Sequence, residues 1–250
     1  GDGITFIMEK ENLNFLVAVR FIAKQHNITI EYTKDEETTE EEKTEQKRKE
    51  SLLAALDILQ NFFVNNLRLA GSDETRHAQD YAYGRWPEEF CSEAGIGYAP
   101  KDGKAFMDFC RQKGIQEDLL FELGMFKRAE DNDVYPMFRE RIMIPVRNRW
   151  GRIIAYTARY IGTNPKAPKY INSATSLIYT KGETLFGIDR AFRLRNPENI
   201  IIVEGAPDVL RMQSIGLENT VASLGTAWNE NQLELLLSLI HISEPTRLRC

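Results

Sequence analysis

The sequence predicts a mixed α/β fold, and three stretches carry that prediction. Ile200–Ile201–Ile202–Val203 is a run of four β-branched residues, which reads as a buried strand in the middle of a parallel sheet. Glu204, Gly205, Ala206, Pro207 and Asp208 follow as a strand end, a tight turn and the first turn of a helix. Upstream, 141–146 and 153–158 read as two strands joined by the turn Arg147–Arg152, a hairpin. Before them, Leu52, Leu53, Leu56, Leu59, Phe62, Phe63 and Leu67 recur at helical spacing over 51–69.

The other elements follow in chain order. Residues 1–10 suggest a strand or a short helix, and 14–25 a helix from Phe15, Leu16, Val19 and Ile22. Residues 28–32 read as a short extended piece. Lys34–Glu50 holds eight acids, five bases and no aliphatic residue. It reads either as a solvated linker or as the start of an exposed polar helix, and as the clearest domain boundary. Residues 73–83, 106–113 and 117–123 are predicted helices, the last two stopped by Gly114 and Gly124. Ala94–Pro100 is a loop or strand. A short helix is expected over 187–194, a strand over 220–223 and a helix over 229–239. The expected divisions are therefore 10–50, helix and charged linker; 51–198, a helical and hairpin-bearing subdomain; and 199–240, an α/β sheet.

Composition excludes several classes of protein. Hydrophobic content of 42% and charged content of 28% are those of a soluble globular chain. No apolar run approaches the roughly 20 residues of a membrane helix, so no membrane partner is expected. Cys91, Cys110 and Cys250 form no paired framework, which points to a cytoplasmic setting. His26, His77 and His241 are scattered, so zinc is not expected within this chain. The net charge is −5, yet Arg139–Arg190 holds ten Lys or Arg and three acids. That local +7 leaves −12 for the rest and points to an anionic partner for the basic half.

Two constellations carry chemistry. Glu204 and Asp208, at the carboxyl end of a strand and in the first turn of the next helix, sit where α/β sheets bind ligands. Their oxygens suit a divalent cation, whereas the bland alternative is an acid that favours a helix N-terminus. The second constellation is basic. Arg139 and Arg141, two apart, would share one strand face, while Lys169 and Lys181 lie beside proline and glycine in loops. Trp150, Tyr156 and Tyr170 interleave with them as base-stacking platforms would; the alternative is a charged hairpin face over an aromatic core. Acids that hold metal together with cations that hold phosphate are what nucleotidyl transfer requires.

The ordered motifs are Phe138–Val146, Gly151–Ile154, Pro168–Ser173, Lys181–Gly182, Leu185–Ile188, Val203–Gly205 with Asp208–Val209, and Val221–Thr226. Together they resemble the catalytic core of bacterial DnaG-type DNA primases. Weaker matches include Tyr83–Gly84–Arg85 and Gly95–Pro100, and residues 1–9 are similar to the end of the zinc-binding domain that precedes that core.

The resemblance implies that Glu204 and Asp208 are catalytic and metal-site acids at the start of a Toprim domain. It implies that Arg85, Arg139, Arg141, Lys169, Tyr170, Asn172 and Lys181 bind nucleotide or template. The implied cofactor is Mg²⁺ or Mn²⁺, with zinc only in the preceding domain. The implied partners are single-stranded DNA, ribonucleoside triphosphates and, through a further domain, the replicative helicase, with the protein itself a monomer.

Ala158, Ala174 and Ala206–Pro207 depart from the family's usual residues, and the second Toprim acidic motif, Asp-x-Asp, is absent. The expectation is therefore an internal primase fragment with an incomplete Toprim sheet and a non-native tail over 241–250, a divergent natural terminus being the alternative for that tail. Such a fragment would bind single-stranded DNA weakly and synthesise no primer. The rival readings are a non-catalytic single-stranded-DNA-binding or adaptor module and another Toprim enzyme.

Overall fold

A computed structural model of the chain describes residues 3–10, 15–26, 28, 40–69, 71–130, 132–194, 197–225 and 228–241. Most of the expected extended piece at 28–32, the start of the charged stretch at 34–39, Thr226 and the tail from 242 lie outside the described residues. The chain divides into two units, Gly1–Ala54 and Ala55–Cys250. In the first, helices α1 (Gly3–Lys10) and α2 (Phe15–Gln25) pack together, with Ala18 and Ala23 buried. Residues 40–50 of the charged stretch are helical and open α3 (Glu40–Arg68), which continues into the second unit.

The second unit is built on an antiparallel sheet. After α4 (Asp73–Tyr83) and α5 (Glu88–Ala94) come β1 (Gly97–Ala99), α6 (Gly103–Gln112), α7 (Glu117–Glu122) and the short ribbon β2 (Phe126–Arg128) with β3 (Val134–Pro136). The predicted hairpin is β4 (Arg141–Arg147) and β5 (Ile153–Tyr160), and β6 (Tyr170–Asn172) completes the sheet in the order β1-β4-β5-β6. Asn148 closes the hairpin turn by accepting from the backbone N–H groups of Trp150 and Arg152 at 3.1 and 3.0 Å.

The sheet and α3 share an aromatic core. Phe63 stacks on Phe106 at 5.3 Å and meets Tyr156 edge-on at 5.3 Å, while Phe106 meets Phe126 at 5.7 Å. Tyr156 is fully buried, and its hydroxyl donates to Gln60 Oε1 at 2.9 Å. Gln60 in turn donates to the Gly95 carbonyl at 2.6 Å, so one amide ties α3, the approach to β1 and β5 together. A polar link of this kind, made to a fully buried phenol, specifies one packing. Gly97 lets β1 lie against α3, since a Cβ there would stand 2.6 Å from the Phe63 backbone.

A second sheet follows, from β7 (Leu185–Phe186), α8 (Ile188–Arg193), β8 (Ile201–Val203), α9 (Ala206–Gln213), β9 (Thr220–Ser223) and α10 (Glu230–His241). Its order is β7-β9-β8, with β8 parallel and β7 antiparallel to β9. Leu185, Ile188, Ala191, Val221, Leu236 and Leu239 form its core.

Two sequence expectations are corrected here. The run at 200–203 does not lie in the middle of its sheet; among the described residues β8 pairs only with β9, and Ile202 is 52% exposed. The buried central strand is β9, because it is the one flanked on both sides. The sheet also begins before the expected division at 198/199, since Leu185–Phe186 hydrogen-bonds to β9 and α8 packs on the same core.

Burial in the second unit sets its response to alkali. Burial pushes the Cys91 and Cys110 thiols from 9.0 up to about 12, and pushes the Tyr98 and Tyr156 phenols up as well. Below pH about 9 these groups are protonated whether the chain is folded or not, so they do not change stability with pH. Above it only the unfolded chain ionises, and each thiol then removes about 1.4 kcal/mol of stability per pH unit up to about 12. Thermal unfolding followed from pH 8 to 11 should show a steadily falling Tm; a flat profile would contradict this burial.

Candidate nucleic-acid and metal site

The site forms where the last residues of β5 meet β6, the end of α4 and the start of α9. Arg159 and Tyr170 are directly paired across β5 and β6, so their side chains share one face, and the Arg159 guanidinium lies 5.3 Å from the Tyr170 ring centroid. Arg159 Nε donates to the Tyr81 hydroxyl at 2.9 Å. The Arg85 guanidinium sits 3.7 Å from the centroid of that same Tyr81 ring. Arg211, in the last turn of α9, donates to the Arg85 carbonyl at 2.9 Å and ties that helix to the turn after α4.

Asp208 belongs to the same neighbourhood. Burial raises the Tyr170 phenol, Tyr81 and Asp208 raise it further, and Arg159 and Arg85 oppose them. Arg159 also carries the cluster's one clear unmet demand among the described residues, because its Nη1 is buried and has no hydrogen-bond partner. A buried guanidinium nitrogen of this kind calls for an acceptor oxygen.

A second group adjoins through the loop after β9. Asn172 Nδ2 donates to the Leu224 carbonyl at 3.3 Å, and Lys181 Nζ lies 3.8 Å from where a Cβ on Gly225 would stand. The turn bearing Lys181 is held from α10 by Gln232, which is 1% exposed. Its amide donates to the carbonyls of Lys181 and Thr184 at 3.3 and 3.1 Å. Lys169 and Tyr170 are exposed at the entry to β6.

Glu204 and Asp208 are both exposed, one at the end of β8 and the other in the first turn of α9. Their carboxylate oxygens are of the type Mg²⁺ or Mn²⁺ takes, and Mg²⁺ commonly uses only one or two carboxylates besides water and phosphate. Among the described residues no group of three His, Cys, Asp or Glu side chains gathers at one point. Two exposed carboxylates four residues apart can supply oxygen donors to such an ion, with the remaining positions left to water and phosphate.

The two arginines singled out at 139 and 141 do not share a strand face. Arg139 precedes β4, and Glu140 takes a positive φ of 53° between them, which breaks the alternation. Arg139 is exposed over Tyr135, at 5.7 Å, on the β2–β3 ribbon. Arg141 lies beneath the site, 5% exposed, donating to the Pro168 and Ala158 carbonyls at 3.0 and 3.4 Å. Arg190 is likewise internal, between Glu93 at 2.9 Å and Glu218 at 3.2 Å.

The sequence reading missed Arg159 and Tyr81. Tyr81 lies in the last turn of α4 and Arg85 in the turn just past its end, and their four-residue spacing, which brings side chains together at a helix end, was available as a signal. Arg159 stood inside the basic segment, but nothing local marked it as the strand residue facing Tyr170.

These placements separate architecture from binding. Arg141→Ala should cost about 1–3 kcal/mol of stability, read by denaturant melts, because it strips the Pro168 and Ala158 carbonyls of their donor. Lys169→Ala should leave stability within about 0.5 kcal/mol. Equal losses from the two changes would contradict the assignment.

Comparison with known proteins places this arrangement in a family. Residues 62–192 match the family described as the DNA primase catalytic core, N-terminal domain. The DNA primase of Clostridium acetobutylicum is 33% identical over 238 residues, covering 94% of this chain and 38% of that protein. That of Haemophilus influenzae is 31% identical over 242 residues, covering 95% and 39%. The chain thus spans about two fifths of the length of the curated relatives it matches.

Among solved structures, the Aquifex aeolicus primase (zinc-binding and RNA polymerase domains) aligns with a TM-score of 0.69 at 29% identity, covering 96% of this chain and 55% of that one. A DnaG primase catalytic domain bound to single-stranded DNA aligns at 0.68 and 28% identity, covering 77% and 61%. The RNA polymerase domain of Mycobacterium tuberculosis primase, in complex with a double-stranded DNA oligomer bearing a 6-nucleotide overhang, aligns at 0.70 and 28%, covering 77% and 60%. On the strength of its matched core and its primase relatives, this chain belongs to the family of bacterial DnaG-type DNA primases.

Proposed function

We propose that this chain supplies the face of a primase core that grips single-stranded template and the incoming ribonucleotide. In the complete protein that grip serves metal-dependent nucleotidyl transfer, which makes short RNA primers. The observation that carries the reading is the Arg85–Tyr81–Arg159–Tyr170 cluster beside Asp208, with Arg159 Nη1 buried and unsatisfied among the described residues. The DNA-bound relatives support it.

Each residue has a role in this reading. Arg85 and Arg159 take phosphate oxygens of the strand, Arg159 through the part of its guanidinium that is not hydrogen-bonded to Tyr81. Tyr170, 38% exposed, offers its ring to a base. Lys169 and Lys181 contribute point charges for triphosphate or template, and Asn172 positions the Leu224–Gly225 loop beside Lys181. Arg139 adds charge on the neighbouring ribbon. Glu204 and Asp208 are the acids that would hold Mg²⁺ or Mn²⁺. When bound, such an ion stabilises charge on the attacking and leaving oxygens of the phosphoryl group. Glu204, exposed at the strand end, would also accept the proton of the attacking ribose hydroxyl in this reading. The helicase partner, the monomeric state and the Toprim assignment of the second sheet are proposals carried by the family resemblance.

Fluorescence anisotropy with a labelled oligothymidylate tests the grip. Four engaged cations, Arg85, Arg159, Lys169 and Lys181, should give a slope of log K against log salt of roughly −3, at about −0.7 per phosphate. Glu204→Gln with Asp208→Asn should keep or strengthen DNA binding and abolish Mn²⁺ binding read by electron paramagnetic resonance. A salt-independent affinity, or Mn²⁺ binding that survives both changes, would overturn the reading.

A further inference from the structure

We propose that Tyr81 is a positioning residue that sets the spacing and aim of the two arginines, Arg85 and Arg159, on which the strand's phosphates land. The inference rests on the reading of this cluster as a template grip and goes further, by naming what holds the grip in shape.

Two guanidinium groups close together repel, and both carry long flexible side chains. Something must hold them at a fixed separation if they are to meet adjacent phosphates. Tyr81 is the residue they share. Its ring face holds the Arg85 guanidinium at 3.7 Å, where the negative face of an aromatic ring attracts a cation. Arg85 Nη1 also leans back to the Tyr81 carbonyl at 3.4 Å. The hydroxyl at the far end of the same ring accepts from Arg159 Nε at 2.9 Å. One neutral side chain therefore fastens one arginine by its face and the other by its edge.

The consequence for Arg159 is geometric. With Nε given to Tyr81, the planar group cannot rotate freely, and the Tyr170 ring at 5.3 Å limits it further. Its Nη1 is then held buried and without a partner among the described residues, a polar demand that an acceptor oxygen would meet. The backbone beneath is fixed as well. Arg159 sits in β5, paired with Tyr170, and the end of α4 is tied to α9 through Arg211 and the Arg85 carbonyl at 2.9 Å. Tyr81 thus lies between two anchored elements and transmits the position of each to the cations. Preorganisation of this kind reduces the ordering cost of binding.

The Tyr81 variants change no charge, and the Arg variants serve as controls. Oligothymidylate binding is measured against salt for the unchanged chain, Tyr81→Phe, Tyr81→Leu, Arg85→Ala and Arg159→Ala, with a thermal melt of each. Tyr81→Phe keeps the ring under Arg85 and frees Arg159, so the salt slope should become shallower by about 0.7, one phosphate contact. Tyr81→Leu releases both arginines and should make it shallower by about 1.4. Adding Tyr81→Phe to Arg159→Ala should change nothing further, because the partner is already gone. A residue that only fills space would leave the slope unchanged, since the number of cations is unaltered. If Tyr81→Leu does not fold, the Phe variant and the double variant decide the question. Slopes unmoved by either Tyr81 change, while the Arg changes make them shallower, would overturn this inference. Slopes unmoved by the Arg changes too would instead remove the template-grip reading on which it rests.

Discussion

Strand β5 is the constraint on which the rest depends. It is paired on one side with β4 and on the other with β6. Its middle is anchored in the core by Tyr156, whose hydroxyl reaches Gln60 of α3 at 2.9 Å. Its end delivers Arg159 to the site. Because side chains alternate along a strand, register fixes which residue reaches the core and which reaches the rim. A slip of one position would bring Ala158 to face Tyr170 and bury Arg159 beneath. The Tyr156–Gln60 link and the Asn148-closed turn both resist such a slip. The aim of the half-buried Arg159 guanidinium is therefore a product of polar satisfaction in the core.

Charge in this chain divides into two kinds of work. The basic segment looked in sequence like a single surface for an anion. Part of it is architecture: Arg141 holds the loop that leads to β6, and Arg190 joins α8 to Glu93 and Glu218. Buried guanidinium groups with carbonyl or carboxylate partners stay because removing one partner strands the other. A cavity of about 460 Å³ beside the hairpin turn, bordered by Trp150, Phe192 and Asp189, belongs to this internal network, at the other end of β5 from the cluster. What remains for a ligand is a smaller group of cations, gathered by aromatic rings.

Much of the fold was legible because it rests on local signals. The hairpin, the strand at 220–223 and the helix that ends the second sheet follow from β-branched runs, glycine stops and helical periodicity. Strand order was not legible. The run at 200–203 reads the same whether it is central or at an edge, since hydrophobicity reports burial propensity and not the number of neighbours. At the site, Glu204 and Asp208 were placed correctly at a strand end and a helix start by turn chemistry alone. Arg139 and Arg141 were paired by spacing, which the positive φ at Glu140 defeats; a non-glycine residue gives no warning of that conformation. Arg159 gained its meaning only from a cross-strand neighbour and from Tyr81, far away in sequence.

The central claim is that a single strand lies at the β6 end of β5 and not at the hairpin-turn end. Photocrosslinking an oligonucleotide that carries 5-iododeoxyuridine, followed by mass spectrometry of the joined peptide, tests it most directly. The account predicts crosslinks at Tyr170 or at Tyr81. Crosslinks confined to Trp150 or Phe192 would place the strand at the opposite end and contradict the account.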